Sequence, residues 1–156
     1  MGSTNQPAGH RYGSVSLRQV HPNDEEFLFE VYASTTALDP LLTRIQYRAL
    51  LASRQISFPD CERLVILAEN EPAGYLNLLR APSHFHIVDL VLLPEFRNHG
   101  VGTSVLNEVI TQAERLSVPV HLSVERSNPA KRLYERLGFR VTGESREGFH
   151  LEMVRA

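Results

Sequence analysis

Two periodicities divide the chain. Over residues 14–20, "SVSLRQV", apolar and polar positions alternate, which is the period of a strand with one face on a core. Asp24 follows Pro22 and precedes "EEFLFEVYAST", which reads as an N-cap, an acidic first turn and a helix. In "LLTRIQYRALLASR" (41–54) the apolar residues Leu42, Ile45, Ala49 and Leu50 fall mostly three or four apart, so a second helix is expected, ended by "ISFPDCE". The pattern then changes. "RLVILAEN" (63–70) reads as a buried strand, "NEP" as a turn and "AGYLNLLRA" (73–81) as the second arm of a hairpin. "FHIVDLVLLP" (85–94) is a third strand, stopped by Pro94. Downstream, Val101, Val105, Leu106, Val109, Ile110, Ala113 and Leu116 share one helical face. "VPVHLSVE" (118–125) is a strand rich in β-branched residues. Asn128 and Pro129 open another helix, with Ala130, Leu133, Tyr134 and Leu137 at i, i+3, i+4 and i+7, and Gly138 ends it. "FRVTGE" and "GFHLEMVR" form a closing hairpin.

This order predicts an α/β (α+β) architecture: a mixed, mostly antiparallel sheet of about seven strands flanked by about four helices. It excludes a doubly wound fold, because the middle and the end of the chain meander. Residues 1–13, "MGSTNQPAGHRYG", are expected to be a flexible tail, and residues 14–156 a single domain without repeats or an internal linker. The tail lacks an apolar h-region and does not read as a secretory signal or a good myristoylation site. Apolar residues make up 42%, enough for a core at 156 residues. A formal net charge of -2 gives no field for nucleic acid, and no apolar run approaches a membrane span, so neither partner is expected. Cys61 is the sole cysteine, which excludes an internal disulfide and makes a reducing cytoplasm the expected compartment. No motif surrounds Cys61, so it reads as an inert thiol.

The chemistry concentrates in "PEFRNHGVGTSVLNEVI" (94–110), a charged glycine-bearing loop that becomes a helix. A helix N-terminus has N–H groups without intrahelical partners and a partial positive charge, both favourable to an anion. Gly100 and Gly102 let the backbone approach a ligand, Arg97 adds a cation, and Thr103 and Ser104 add hydroxyls. A dinucleotide fingerprint would need glycine at Val105, and a Walker loop would need Gly-Lys-Ser/Thr; neither is present. A phosphate cradle and a plain tight turn both fit the loop taken alone.

"RxxGxG" after a "LVLLP" strand, followed one helix and one strand later by "NPAKRLYERLGF", resembles the GNAT superfamily of acetyl-CoA-dependent N-acetyltransferases over roughly residues 63–154. The resemblance implies acetyl-CoA as cosubstrate, its pyrophosphate cradled by Arg97, Asn98, His99, Gly100, Val101, Gly102 and Thr103. It implies backbone contacts from Leu92 and Leu93 to the pantetheine and acetyl group, a CoA contact from Asn128, and Tyr134 as general acid. Asn128 stands six residues before Tyr134, whereas many members place the asparagine seven before; Ser127 holds that position here. Periodicity alone reads Tyr134 as a core aromatic.

For the base, "SHFHIVDLV" offers His84, His86 and Asp89. His86 stands where some relatives carry a His or Glu, and a histidine titrates near neutrality. Asp89 is the other candidate, to orient the amine or relay a proton. Strand alternation puts it on the face opposite His86, with His84, His86, Val88 and Leu90 together. No metal site is expected. Arg44, Tyr47, Arg48, Phe58, Arg80, Phe85 and Phe149 are candidates for recognising the acceptor. The reading is acetyl transfer to a primary amine of a small molecule, amino acid or peptide N-terminus, by direct attack in a ternary complex. A CoA-binding sensor domain with little activity is the alternative. Exposed edge strands would allow a homodimer.

Overall fold

A computed structural model describes residues 12–156; the expected tail therefore lies outside the described residues up to position 11. At its end, the Tyr12 ring packs on Phe96 at 5.4 Å, and the Gly13 N–H donates to Glu69 Oε1 at 3.0 Å. The elements run β1 (Val15–Gln19), α1 (Glu25–Ala33), α2 (Pro40–Ser57), β2 (Glu62–Ala68), β3 (Glu71–Arg80), β4 (Phe85–Leu92), α3 (Val101–Arg115), β5 (Val120–Glu125), α4 (Ala130–Arg136), β6 (Arg140–Glu144) and β7 (His150–Arg155). One seven-stranded sheet has the order β1-β2-β3-β4-β5-β7-β6. Every neighbouring pair is antiparallel except β4 and β5. No helix among the described residues is long and apolar enough to cross a membrane.

Each helix start follows from local chemistry. Asp39 caps α2, its carboxylate accepting from the Leu41 and Leu42 N–H groups at 2.7 and 3.2 Å, with Pro40 at the first helical position. Asp24, expected to cap α1, does something else. Its carboxylate takes a two-pronged bond from Arg18 (2.8 and 2.9 Å) and the His21 N–H at 2.7 Å. It makes no side-chain cap on α1, because Pro22–Asp24 form a 3-10 turn that aims it back at β1. The Arg18 bond holds its pKa down at about 2.

The two faces of the sheet are covered by different helices. Leu76, Leu78, Phe85, Ile87, Leu122 and Met153 are buried on the face that meets α3. The opposite face carries Tyr75 and Asn77 and is roofed by α1 and α2. The periodicity of α2 misleads here. Leu42 and Ile45 are exposed, as is Ala49, and the buried side of the helix is Thr43 and Tyr47 with Leu50 and Leu51 half-buried. An 18-residue helix with apolar residues on two sides leaves the choice to the sheet, which takes the side carrying the larger Tyr47 ring.

A β-bulge in β4 changes a second expectation. Asn77 pairs with Asp89 but Leu78 pairs with Ile87, so Val88 is an extra residue without an opposite number. The extra residue resets the alternation. Asp89 joins His86 on the α2 face, and Leu90, opposite Leu76, moves to the other one. Asp89 and His86 are therefore on one face, not on opposite faces.

Past the bulge, β3 and β4 are in close contact. A Cβ on Gly74 would lie 2.1 Å from the Val91 carbonyl oxygen and 2.9 Å from Leu92 Cα, both backbone atoms. Gly74→Ala should push β4 off β3 and cost about 1–3 kcal/mol in urea unfolding. Gly143→Ala, where nothing lies within 4 Å, should stay within about 0.5 kcal/mol of the parent.

Candidate active site

β4 and β5 are paired only over Phe85–Ile87 and Val120–Leu122, although β4 runs on to Leu92 and β5 to Glu125. Beyond Ile87 the two parallel strands separate, and a cleft of about 770 Å³ opens between them. The exposed side of β4 carries backbone donors. Leu93 N–H donates to the Ala73 carbonyl at 2.8 Å, so strand alternation turns the amides of Leu92 and Leu90 away from β3, into the gap. The Leu92 carbonyl on the same side accepts from Arg97 Nε at 3.0 Å. Leu93 is different: its side chain is buried and its N–H is committed to the sheet.

The loop beyond β4 forms a tight turn into α3. Asn98 has φ of 62° and Gly100 φ of 80°, both left-handed, and Gly100 is the N-cap. The next backbone bond of the helix is Ser104 N–H to the Gly100 carbonyl. Among the described residues the N–H groups of Asn98, Gly100, Val101, Gly102 and Thr103 therefore have no backbone partner. Such a run of free amides at a helix start is an anion cradle, and it fits a pyrophosphate. The Gly102 position faces Leu92 and Leu133, each 3.9 Å from where a Cβ would be, so the turn abuts both β4 and α4. Arg97 braces the turn: besides Leu92, its Nη2 donates to Ser34 Oγ at 3.3 Å. The His99 ring packs edge-on to Tyr12 at 5.9 Å.

Across the gap, α4 supplies Tyr134 and the preceding turn supplies Asn128, both lining the cleft. Asn128 Oδ1 accepts the Ala130 N–H at 2.9 Å, so the side chain holds the first turn of α4. Tyr134 is 9% exposed and packs edge-on to Phe139 at 5.9 Å, so most of the ring is core. Its hydroxyl makes no hydrogen bond among the described residues, and burial pushes its pKa up. The apolar stripe and the cleft position therefore hold together for this residue: the ring packs while the hydroxyl stays protonated.

His86 and Asp89 both line the cleft. The half-buried His86 ring stacks on Phe58 at 5.2 Å, and burial lowers its pKa, with Glu152 opposing. Asp89 is already engaged: Arg54 Nε and Nη2 reach its two oxygens at 3.1 and 2.9 Å, and Asn77 Nδ2 adds a third bond at 3.0 Å. His84 is not part of the cleft lining; its ring packs against His121 at 4.8 Å. Among the described residues no group of three or more His, Cys, Asp or Glu side chains is placed to hold a metal ion.

The acceptor candidates divide. Tyr47 and Phe58 line a side cavity beneath α2. Arg44 lies over the Phe29 ring, Arg80 pairs with Glu62, Phe85 is core, and Phe149 is 69% exposed. Arg54, Tyr75, Asn77 and Glu152 line these spaces and were not singled out from sequence. Tyr75 and Asn77 are two apart on one strand face, a signal that was readable; their meeting with Asp89 depends on the bulge.

The fold is shared with known acyltransferases. The fold overlays on PaiA N-acetyltransferase from Thermoplasma acidophilum in complex with coenzyme A, with a TM-score of 0.69, 22% identity and coverage of 91% of this chain and 98% of that one. It also overlays on Naa50 of Arabidopsis thaliana in complex with the bisubstrate analogue CoA-Ac-MVNAL, at TM-score 0.63, 16% identity and coverage of 92% and 99%. A peptidyl-lysine N-acetyltransferase of Escherichia coli (strain K12) is 26% identical over 133 residues, 84% of this chain and 86% of that protein. Residues 25–139 match the family model of the acetyltransferase (GNAT) family. The chain belongs to that family. It is an acetyl-CoA-dependent N-acetyltransferase.

Burial favours the neutral ring of His86, so an NMR titration of its Cε1–H should give a pKa below the usual 6.5. Phe58→Ala uncovers the ring and should move that value back up.

Proposed function

We propose that the protein moves the acetyl group of acetyl-CoA to a primary amine by direct attack, both substrates being bound together. The observation that carries this reading is the split between β4 and β5, which has free amides at the turn on one end and the Tyr134 hydroxyl on its wall. The turn at 97–103 would hold the pyrophosphate, and Asn128 would support the CoA-facing turn before α4. The Leu92 amide, aimed into the gap, would donate to the thioester oxygen and stabilise charge there as the amine adds. Leu93, its N–H on Ala73 and its carbonyl accepting from Phe96 at 3.0 Å, would leave that contact to Leu92.

Bonds and protons balance for an amine that arrives neutral, with solvent returning the proton gained by His86 to the Tyr134 oxygen. The amine nitrogen forms a bond to the thioester carbon, the C–S bond breaks, and the leaving sulfur takes the Tyr134 proton. His86 would take the proton lost by the amine, directly or through water; its burial keeps the ring neutral and ready to accept. Asp89, tied by three bonds to Arg54 and Asn77, is suited to orient the acceptor and not to take its proton. A reducing cytoplasm accords with a single thiol that makes no disulfide.

Two variants test the assignment. Tyr134→Phe keeps the packing and removes the hydroxyl, so kcat should fall by roughly 10²–10⁴-fold with the KM for acetyl-CoA nearly constant. Gly102→Asp puts a carboxylate beside Leu92 and Leu133 in the first turn of α3, where its charge opposes a pyrophosphate held by the same turn. Calorimetry should show at least about tenfold weaker CoA binding, with circular dichroism checking that the variant is folded.

A further inference from the structure

Beneath α2 lies a second space of about 130 Å³, which adjoins the cleft and shares Leu50, Arg54, Phe58, Tyr75, Val88 and Asp89 with it. Its walls come from α1 (Leu28), α2 (Tyr47, Leu51), Cys61 just before β2, β2 itself (Arg63) and β3 (Tyr75). It therefore opens where β4 bulges, beside the His86–Asp89 stretch that meets the amine.

The charges on its wall are closed on one another. Arg54 is bound to Asp89, Asn77 donates to the same carboxylate, and Arg63 pairs with Glu25 at 3.0 Å. Cys61 adds no charge, since burial pushes its pKa up to about 11. What remains for a guest is mostly apolar surface, with the Gln55 amide and the hydroxyl of Tyr75, which makes no hydrogen bond among the described residues. An apolar cavity of about 150 Å³ is large enough to bind benzene in another protein. A charged group placed here would lose its water and meet no free counter-ion, a cost that an apolar group escapes.

We infer that this cavity takes the side chain of the acceptor, and that the preferred acceptor is an amine bearing a bulky, neutral, apolar group up to about the size of a phenyl ring. The inference rests on the acetyltransferase reading above and deepens it. It sets this chain apart from an enzyme for lysine side chains, whose reacting nitrogen ends a slim unbranched stem that would leave a phenyl-sized space unfilled. Val88 and Tyr75 set the depth of the pocket, and the Arg54–Asp89 pair forms a neutral border between it and the reacting centre.

The test compares phenethylamine, ethylamine and cadaverine as acceptors, following acetyl-CoA consumption. Phenethylamine should exceed both others in kcat/KM by roughly 10- to 200-fold, the range a hydrophobic pocket can discriminate. Cys61→Leu and, independently, Leu51→Phe fill the cavity and should drive the phenethylamine-to-ethylamine ratio toward one. A ratio measured on one preparation does not depend on how much of it is folded. Equal or reversed preference in the parent protein overturns the inference while leaving the acetyltransferase reading intact, as does a ratio that neither variant moves. If no amine consumes acetyl-CoA, the reading of function fails, and calorimetry with phenethylamine alone decides the cavity. Saturable binding lost in Cys61→Leu upholds it, and absence of binding overturns it.

Discussion

A sheet must satisfy the N–H and C=O groups of its strands, and this one stops doing so at Ile87. From there β4 and β5 separate, leaving the amides of Leu90 and Leu92 facing space instead of a neighbour. Unpaired backbone groups are costly when dry, so such an opening is either wet or filled by a ligand that can bond to it. The rest of the site is arranged around that gap. The turn into α3 is at its open end, α4 closes the far wall with Tyr134, and α2 roofs the side that carries His86 and Asp89.

The bulge at Val88 is the companion of the split. One extra residue in β4 turns Asp89 toward α2, where Arg54 and Asn77 receive it. It also puts His86 and Asp89 on the same face and directs a strand boundary into the side cavity. Gly74 fixes how closely the following stretch of β4 lies on β3. The geometry of the proposed reacting centre thus depends on a backbone irregularity held by a glycine contact and an ion pair, not on the regular sheet around it.

On the proposed reading, the acceptor side of the protein follows a different logic from the cofactor side. The cradle at 98–103 is made of backbone amides and is indifferent to most side chains beyond its glycines. The side cavity is made of side chains from five elements, so its size and polarity belong to this sequence in particular. Neutral walls arise because every charge there has a partner from another element.

Much of this was legible in the residues themselves. Alternation in 14–20, the runs at 63–70 and 85–94, and the spacing in 101–116 fix element type, because a strand repeats every two residues and a helix every 3.6. Gly100 at a strand-to-helix junction announces its turn, since a left-handed N-cap suits glycine. Tyr134 could be placed on a helix stripe, but a stripe cannot say whether its hydroxyl ends in the core or at a cleft. The α2 stripe names two apolar sides and not which one the sheet buries. Asp24 was assigned to the helix it precedes, whereas Arg18, six residues back, takes it. The face of Asp89 was beyond reach for a definite reason: alternation propagates only along an unbroken strand, and a bulge is decided by pairing with β3. Local periodicity determined the elements and the anion-binding turn. Long-range pairing alone decided where the sheet parts, which face Asp89 takes and what the cavity under α2 can hold, because each depends on residues distant in the chain coming to share one register.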